Sequence, residues 1–475
     1  MLLVSCVVNV NVIHGVDVNV DSPPPPPPAA VRLELIHRDS PKLHGQNDET
    51  RSVHHHDQRQ RWKELHRRDS LRHHNLLYSR RRRDQEKESD SFQMPMNSGA
   101  DYRNGEYFVH VQVGTPAQNV TLVADTASDL TWVNCKHGCG RNCSISKGRL
   151  SSKRAFRADR SSTFQVIPCS SHMCKSDLSD LFSLHRCPTP FTPCTYDYRY
   201  MQGSAAIGFF ANETLSVDLT NGKKGELHNV LIGCTKSIDN VAGVRGADGI
   251  LGLGYGNYTF TTNAASEFGG KFSYCLVDHL SHENVSNYLI FGDCSGSENT
   301  LSSSKRYTKL VLGGKLRSFY GLNVLGISIG GILLKIPSFV WDENRGGGTI
   351  LDSGSSLTYL ALPAYEPVMD ALEKSVSKYE RFSVEQGSPF EYCFNSSGFD
   401  EASVPRLAIH FEDGARFEPP VKSYIIDVAD QEKCFGFVPV IWPANSIIGN
   451  IMQQNHLWEF DLVGKTLGFA PSSCT

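Results

Sequence analysis

Two ten-residue segments of this 475-residue chain are near-copies of each other, and each carries an aspartate in the same place. The first is Ala124-Asp125-Thr126-Ala127-Ser128-Asp129-Leu130-Thr131-Trp132-Val133, and the second is Leu351-Asp352-Ser353-Gly354-Ser355-Ser356-Leu357-Thr358-Tyr359-Leu360. They lie 227 positions apart. A repeated aspartate turn implies two similar lobes that each deliver one carboxylate. Two carboxylates brought together are a known means of activating water for acyl cleavage.

The elements that must position these turns are short. Each aspartate follows an apolar stretch, Leu122-Val123-Ala124 or Thr349-Ile350-Leu351, that reads as a strand entering a tight turn. Each half also carries a later apolar-apolar-Gly element, Ile250-Leu251-Gly252 and Ile447-Ile448-Gly449. Glycine there lets one backbone pass close beneath another, as a segment threading under an aspartate turn requires. From Gly105 onward, short apolar runs such as Tyr107–Val113 and Tyr288–Phe291 alternate with Gly, Asn, Ser and Pro, which predicts a mostly β body. The best helical pattern is Pro363 to Val376. Gly346-Gly347-Gly348 reads as a close strand approach, and the polar stretch from Gly292 to Lys305 as the boundary between halves.

Composition separates the amino end from the rest. Residues 1–95 hold 15 Lys and Arg against 13 Asp and Glu, and half of the 18 His. The remainder holds 32 against 37. Leu2 to Ile13 has the length of a secretory or transit segment but lacks a basic start. Pro23 to Pro28 is a stiff spacer. The Arg-rich stretch, densest at Arg80–Arg83, reads as a basic propeptide able to lie over an acidic cleft at neutral pH and to release on acidification. A nucleic-acid arm is the rival reading of that stretch alone. Thirteen of the 14 Cys lie beyond residue 134, which suggests disulfides in an oxidising compartment. A zinc site at Cys135, Cys139 and Cys143 is the lesser alternative. Sequons at Asn119, Asn142, Asn212, Asn257, Asn284 and Asn395 agree with a secretory route.

Taken in order, these residues resemble the pepsin-like aspartic proteases, peptidase family A1, and more narrowly their plant nepenthesin-type branch. The likeness covers about residues 97–475. It rests on Tyr107-Phe-Val-His-Val-Gln-Val-Gly-Thr-Pro116, Gly249-Ile-Leu-Gly-Leu-Gly254, Lys271-Phe-Ser-Tyr-Cys-Leu-Val-Asp-His279 and Ile448-Gly-Asn-Ile-Met-Gln-Gln454, together with both aspartate turns. The resemblance implies a bilobal, mostly β acid-protease fold, with two similar six-stranded-barrel-type lobes and a cleft between them. It implies that Asp125 and Asp352 form the catalytic pair and that Ser128 and Ser355 bond their outer oxygens. Thr126 and Ser353 would cross-link the turns, and Tyr200 would be the flap tyrosine. It implies six disulfides from twelve cysteines, leaving Cys6 and Cys294 over, with the Cys135–Cys194 stretch as the insertion that marks the branch.

The expected domains are a signal or transit segment over 1–20, a disordered basic propeptide over 21–96, an N-terminal lobe over 97–296 and a C-terminal lobe over 300–475. The expected activity is an acid-optimum endopeptidase made as a zymogen. It would need no metal or other cofactor, act as a monomer on protein or peptide substrates, bind its own propeptide, and have neither a membrane span nor a nucleic-acid partner. Secretion or vacuolar delivery is expected, with the chloroplast as the alternative, because one likeness is to a chloroplast-assigned plant member. The first turn departs from the family by carrying Ala127 where glycine is usual; a methyl fits there only if the backbone φ is negative. The rival function is therefore a non-catalytic protein of the same fold that binds or inhibits a glycosidase. Ser and His are plentiful, but no Gly-x-Ser-x-Gly elbow is expected, nor a phosphate-binding Gly-x-x-x-x-Gly-Lys loop.

Overall fold

A computed structural model describes residues 31–37, 62–63, 107–138, 155–181, 184, 187, 189–199, 205–219, 224–239, 247–278, 287–292, 305–384 and 386–474. The fold is a bilobal, mostly β pepsin-like architecture. Tyr107–Val113 and Gln118–Asp125 pair antiparallel, with Val111 opposite Val120. Alternation of the apolar residues turns Tyr107, Val109, Val111 and Val113 into the core. A long hairpin of Ala205–Asp218 and Lys224–Asp239 widens this lobe.

The two halves repeat one arrangement. In the first, Gly249–Gly252 lies parallel to Gln118–Asp125, placing Leu251 beside Ala124 and Gly252 beside Asp125, and antiparallel to Trp132–Lys136. In the second, Ser446–Ile448 lies parallel to Thr349–Leu351 and crosses Thr358–Ala361 antiparallel. The apolar-apolar-Gly elements therefore run directly beside the strands that end in the aspartates. Their glycines are forced by space. A Cβ on Gly252 would stand 2.8 Å from the Ser128 carbonyl oxygen, and one on Gly449 2.1 Å from that of Leu357.

A shared antiparallel sheet joins the halves. Lys271–Cys275 pairs with His456–Asp461, which pairs with Thr466–Pro471, which pairs with Arg306–Gly313. Phe272 and Phe460 stack at 4.4 Å across that seam, and Tyr320 meets Phe460 edge-on at 4.8 Å. Leu362–Val376 is the long helix, with Pro363 in its first turn, where the missing N–H costs nothing. Its Ala364, Tyr365, Val368, Met369, Leu372 and Val376 form one buried stripe at helical spacing.

Five disulfides are present among the described residues: Cys135–Cys234, Cys169–Cys187, Cys174–Cys194, Cys275–Cys474 and Cys393–Cys434. Because Cys135 is bonded to Cys234, the zinc reading of Cys135, Cys139 and Cys143 falls. Cys6, Cys139, Cys143, Cys294, Arg80–Arg83 and the six-proline run lie outside the described residues. No helix among the described residues is long and apolar enough to cross a membrane.

Two pieces of the 21–96 segment are among the described residues. Val31–His37 is a β-strand, and Trp62-Lys63 is helical with Trp62 buried. The strand was readable in principle, because Val31-Arg32-Leu33-Glu34-Leu35 alternates apolar and charged residues, and the flanking His and Arg clusters masked it.

Candidate active site

Each aspartate sits where a strand ends and a turn begins, and each turn folds back on its own carboxylate. The Ala127 N–H donates to Asp125 Oδ1 at 3.0 Å, and the Gly354 N–H to Asp352 Oδ1 at 2.8 Å. The Ser355 hydroxyl donates to Asp352 Oδ2 at 2.6 Å, and the Ser128 hydroxyl donates to Asp125 Oδ2 in the same position. Both aspartates are fully buried. Each carboxylate is thus held by one backbone N–H and one hydroxyl, which orients it and stabilises its charge.

The two turns are tied to each other. The Thr126 N–H donates to Ser353 Oγ at 3.1 Å, and the Ser353 N–H donates to Thr126 Oγ1 at 2.9 Å. Ser353 Oγ in turn donates to the Ala124 carbonyl at 3.1 Å. This reciprocal cross-link sets the two aspartate turns side by side. Ser353→Ala is expected to cost about 1–3 kcal/mol, since it leaves the buried Thr126 N–H without its acceptor. Urea unfolding of the variant beside the wild type measures it.

Ala127 fits. It is not among the described non-glycine residues with positive φ, so its methyl meets no backbone penalty. The hydrogen bond from its N–H matches that of Gly354. Ala127→Gly is accordingly expected to change kcat/KM by less than about threefold. A gain of tenfold or more in a peptidase assay would show that the methyl obstructs the site.

A second layer went unread in the sequence. The Thr131 hydroxyl accepts from the Gly252 N–H at 3.1 Å, and the Thr358 hydroxyl from the Gly449 N–H at 3.4 Å. Both threonines occupy the same place in the near-copies, so the repeat itself carried the signal. The buttress of Asp352 has no such copy. Gln453 donates through Nε2 to the carbonyls of Asp352 and Ile448, and its Oε1 accepts from the Tyr274 hydroxyl at 2.6 Å. Asn450 Nδ2 donates to the Ser353 carbonyl at 3.0 Å. The first half carries Leu253-Gly254 after its own glycine, so no internal comparison could reveal these amides.

Tyr200 lies outside the described residues. The hairpin that leads to it is described, with Thr195–Arg199 paired to Ala205–Asp218 and Arg199 opposite Ala205. The expectation that no Gly-x-Ser-x-Gly occurs is corrected, since Gly326-Ile327-Ser328-Ile329-Gly330 has the spacing of a nucleophile elbow. It runs within and just beyond the strand Val324–Ile329 instead of turning from strand to helix, and Ser328 bonds His410 Nε2 at 2.7 Å across to the strand Leu407–Phe411.

Among known proteins, the "Xylanase inhibitor N-terminal" family model matches residues 107–293, and the "Xylanase inhibitor C-terminal" model matches residues 319–471. "Aspartyl protease family protein 2" of Arabidopsis thaliana is 36% identical over 81% of this chain and 74% of its own length. "Aspartic proteinase nepenthesin-1" of Nepenthes gracilis is 30% identical over 78% of each chain. Among solved structures, basic 7S globulin from soybean aligns with a TM-score of 0.61 at 20% identity, over 79% of this chain and 94% of that one. That likeness speaks to the fold alone.

Proposed function

The chain belongs to the pepsin-like aspartic protease family, and we propose that it is a working aspartic endopeptidase in which Asp125 and Asp352 activate water. The observation that carries this reading is the matched pair of turns, each holding its carboxylate by one N–H and one hydroxyl and locked to the other through Thr126 and Ser353. Two adjacent carboxylates cannot both ionise easily, so they hold one proton between them, as is general for aspartic proteases. The ionised member takes a proton from the water, which attacks the peptide carbonyl. The protonated member stabilises the developing oxyanion and then supplies the leaving amine with a proton. The shared proton confines activity to acid pH, where the pair titrates as a unit. Tyr200, at the tip of the Thr195–Arg199 hairpin in sequence, is proposed to close over substrate and exclude water.

Residues 1–96 are proposed to be removed or cut in a zymogen, and the protein to travel the secretory route. Five disulfides among the described residues support that route, since such bonds persist in oxidising compartments. The competing function is a binding protein without catalysis. It is favoured by one observation, the family models named for xylanase inhibitors.

The discriminating experiment incubates processed protein with an unfolded protein substrate at about pH 3–5, with and without pepstatin. Cleavage that pepstatin blocks is expected. Absence of cleavage, together with tight binding to a glycosidase, would replace this reading by the inhibitor one.

A further inference from the structure

Among the described residues, the amino-terminal segment touches the body at two places, and neither is an aspartate turn. Val31–His37 is paired on both sides. Val31 to Leu35 lie opposite Phe291 to Asn287, and Leu35 to His37 lie opposite Val109 to Tyr107. Trp62 is seated on the C-terminal lobe, 3% exposed. Its indole N–H donates to the Asp427 carbonyl at 3.1 Å, and its ring meets Phe390 edge-on at 5.4 Å. Trp62 itself walls a recess here, together with Val384, Cys393, Val428 and Glu432. The recess is built on the four-stranded sheet that contains Cys393–Asn395, Glu432–Phe435 and Ile425–Ala429, closed by the Cys393–Cys434 disulfide. Neither the turns nor the strands that carry Asp125 and Asp352 contribute to it.

We propose that this face of the C-terminal lobe is a docking site for the segment itself, which stays on the body as a separate chain once the link between Trp62 and Tyr107 is cut. The proposal rests on the reading of residues 1–96 as a processed segment. Losing Val31–His37 would open two strand edges at once, along Asn287–Phe291 and Tyr107–Val109, and open edges are costly to leave unpaired. Losing Trp62 would expose a large aromatic side chain and uncover Phe390, which its ring meets. The two contacts sit on one tether, so each raises the effective concentration of the other, and the pair holds more tightly than either alone. A buried aromatic is also the kind of residue that dominates an interface. One other stretch could compete for the strand slot: Phe92-Gln93-Met94-Pro95-Met96 alternates apolar residues, although Pro95 has no N–H to give to a ladder.

The experiment uses the full chain with a site-specific protease sequence in place of Arg80–Arg83, cut and then passed over a sizing column at neutral pH. Because the cut is engineered, the outcome does not depend on natural processing or on peptidase activity. The amino-terminal fragment is expected to co-elute with the body and to leave about 30-fold faster or more from Trp62→Ala. Trp62→Phe, which keeps an aromatic ring at that position, is expected to fall between. A synthetic peptide of residues 58–67, added in excess to the cut wild-type protein, is expected to speed release. A fragment that leaves the cut wild-type protein as fast as it leaves Trp62→Ala overturns the proposal, as does release indifferent to the peptide.

Discussion

Asp352→Asn is expected to lower kcat for peptide cleavage by about 10³-fold or more while leaving the fold intact. Asparagine has the shape of aspartate, and its carbonyl oxygen can still accept from the Gly354 N–H that now reaches Oδ1 at 2.8 Å. What it cannot do is exchange a proton. An amide neither takes a proton from water nor shares one with Asp125, so both catalytic roles of the pair fail together. Asp125→Asn is expected to do the same, and the double variant to be no worse than either single one, because groups that act as a unit are not additive. Steady-state rates at acid pH measure the loss, and near-ultraviolet circular dichroism checks the fold. A loss under about tenfold in both single variants would remove the dyad from the chemistry.

The second large effect concerns a neighbour of the dyad. Asp129 closes the first turn and is 6% exposed. Burial pushes its carboxyl up to about 7; Ser318 and the Arg317 guanidinium offset this in part, and the charge of Asp125 adds to it. Ser318 and Arg317 belong to the second lobe, on the strand Arg317–Leu322. The surroundings of Asp129 are therefore an interlobe contact, where the Tyr255 N–H also donates to the Ser318 carbonyl.

A raised carboxyl pKa means that the folded state holds the proton more tightly than the unfolded chain. Its contribution is fully present below the ordinary carboxylate range and is lost as pH rises to about 7. Asp129→Asn keeps the shape and cannot ionise. It is expected to leave stability near pH 4 little changed and to raise it near pH 8 by on the order of 4 kcal/mol. Urea unfolding at the two pH values measures this, and an equal difference between variant and wild type at both would contradict it. The same ionisation makes the folded protein more stable in acid than at neutral pH.

What could be read from the chain followed its internal repeat. Asp125 and Asp352, the hydroxyls of Thr126, Ser128, Ser353 and Ser355, and the glycines at 252 and 449 all occur twice in matched order. Repetition separates such residues from the many other Asp, Ser and Gly. The Tyr107–Val113 strand and the Leu362–Val376 helix were legible because their apolar residues keep one period throughout. Residues without a twin were not legible. Gln453 meets the Asp352 carbonyl across 101 positions, and Tyr274 meets Gln453 across 179. Nothing local marks an amide for such contacts. Nothing local marks Asp129 as more than a polar turn residue, because Ser318 and Arg317, which act on its carboxyl, belong to the other lobe. Trp62 stood alone in an Arg- and His-rich stretch, whose average charge described the segment and hid a side chain that packs.

The central claim, that two aspartates acting as one unit hydrolyse peptide bonds, is met most directly by the pH dependence of kcat/KM for processed protein, measured beside Asp352→Asn. The expected result is activity confined to the acid range, bounded by two apparent pKa values that belong to the pair, and absent from the variant at every pH. Cleavage that persists at neutral pH and runs equally fast in Asp352→Asn would contradict it.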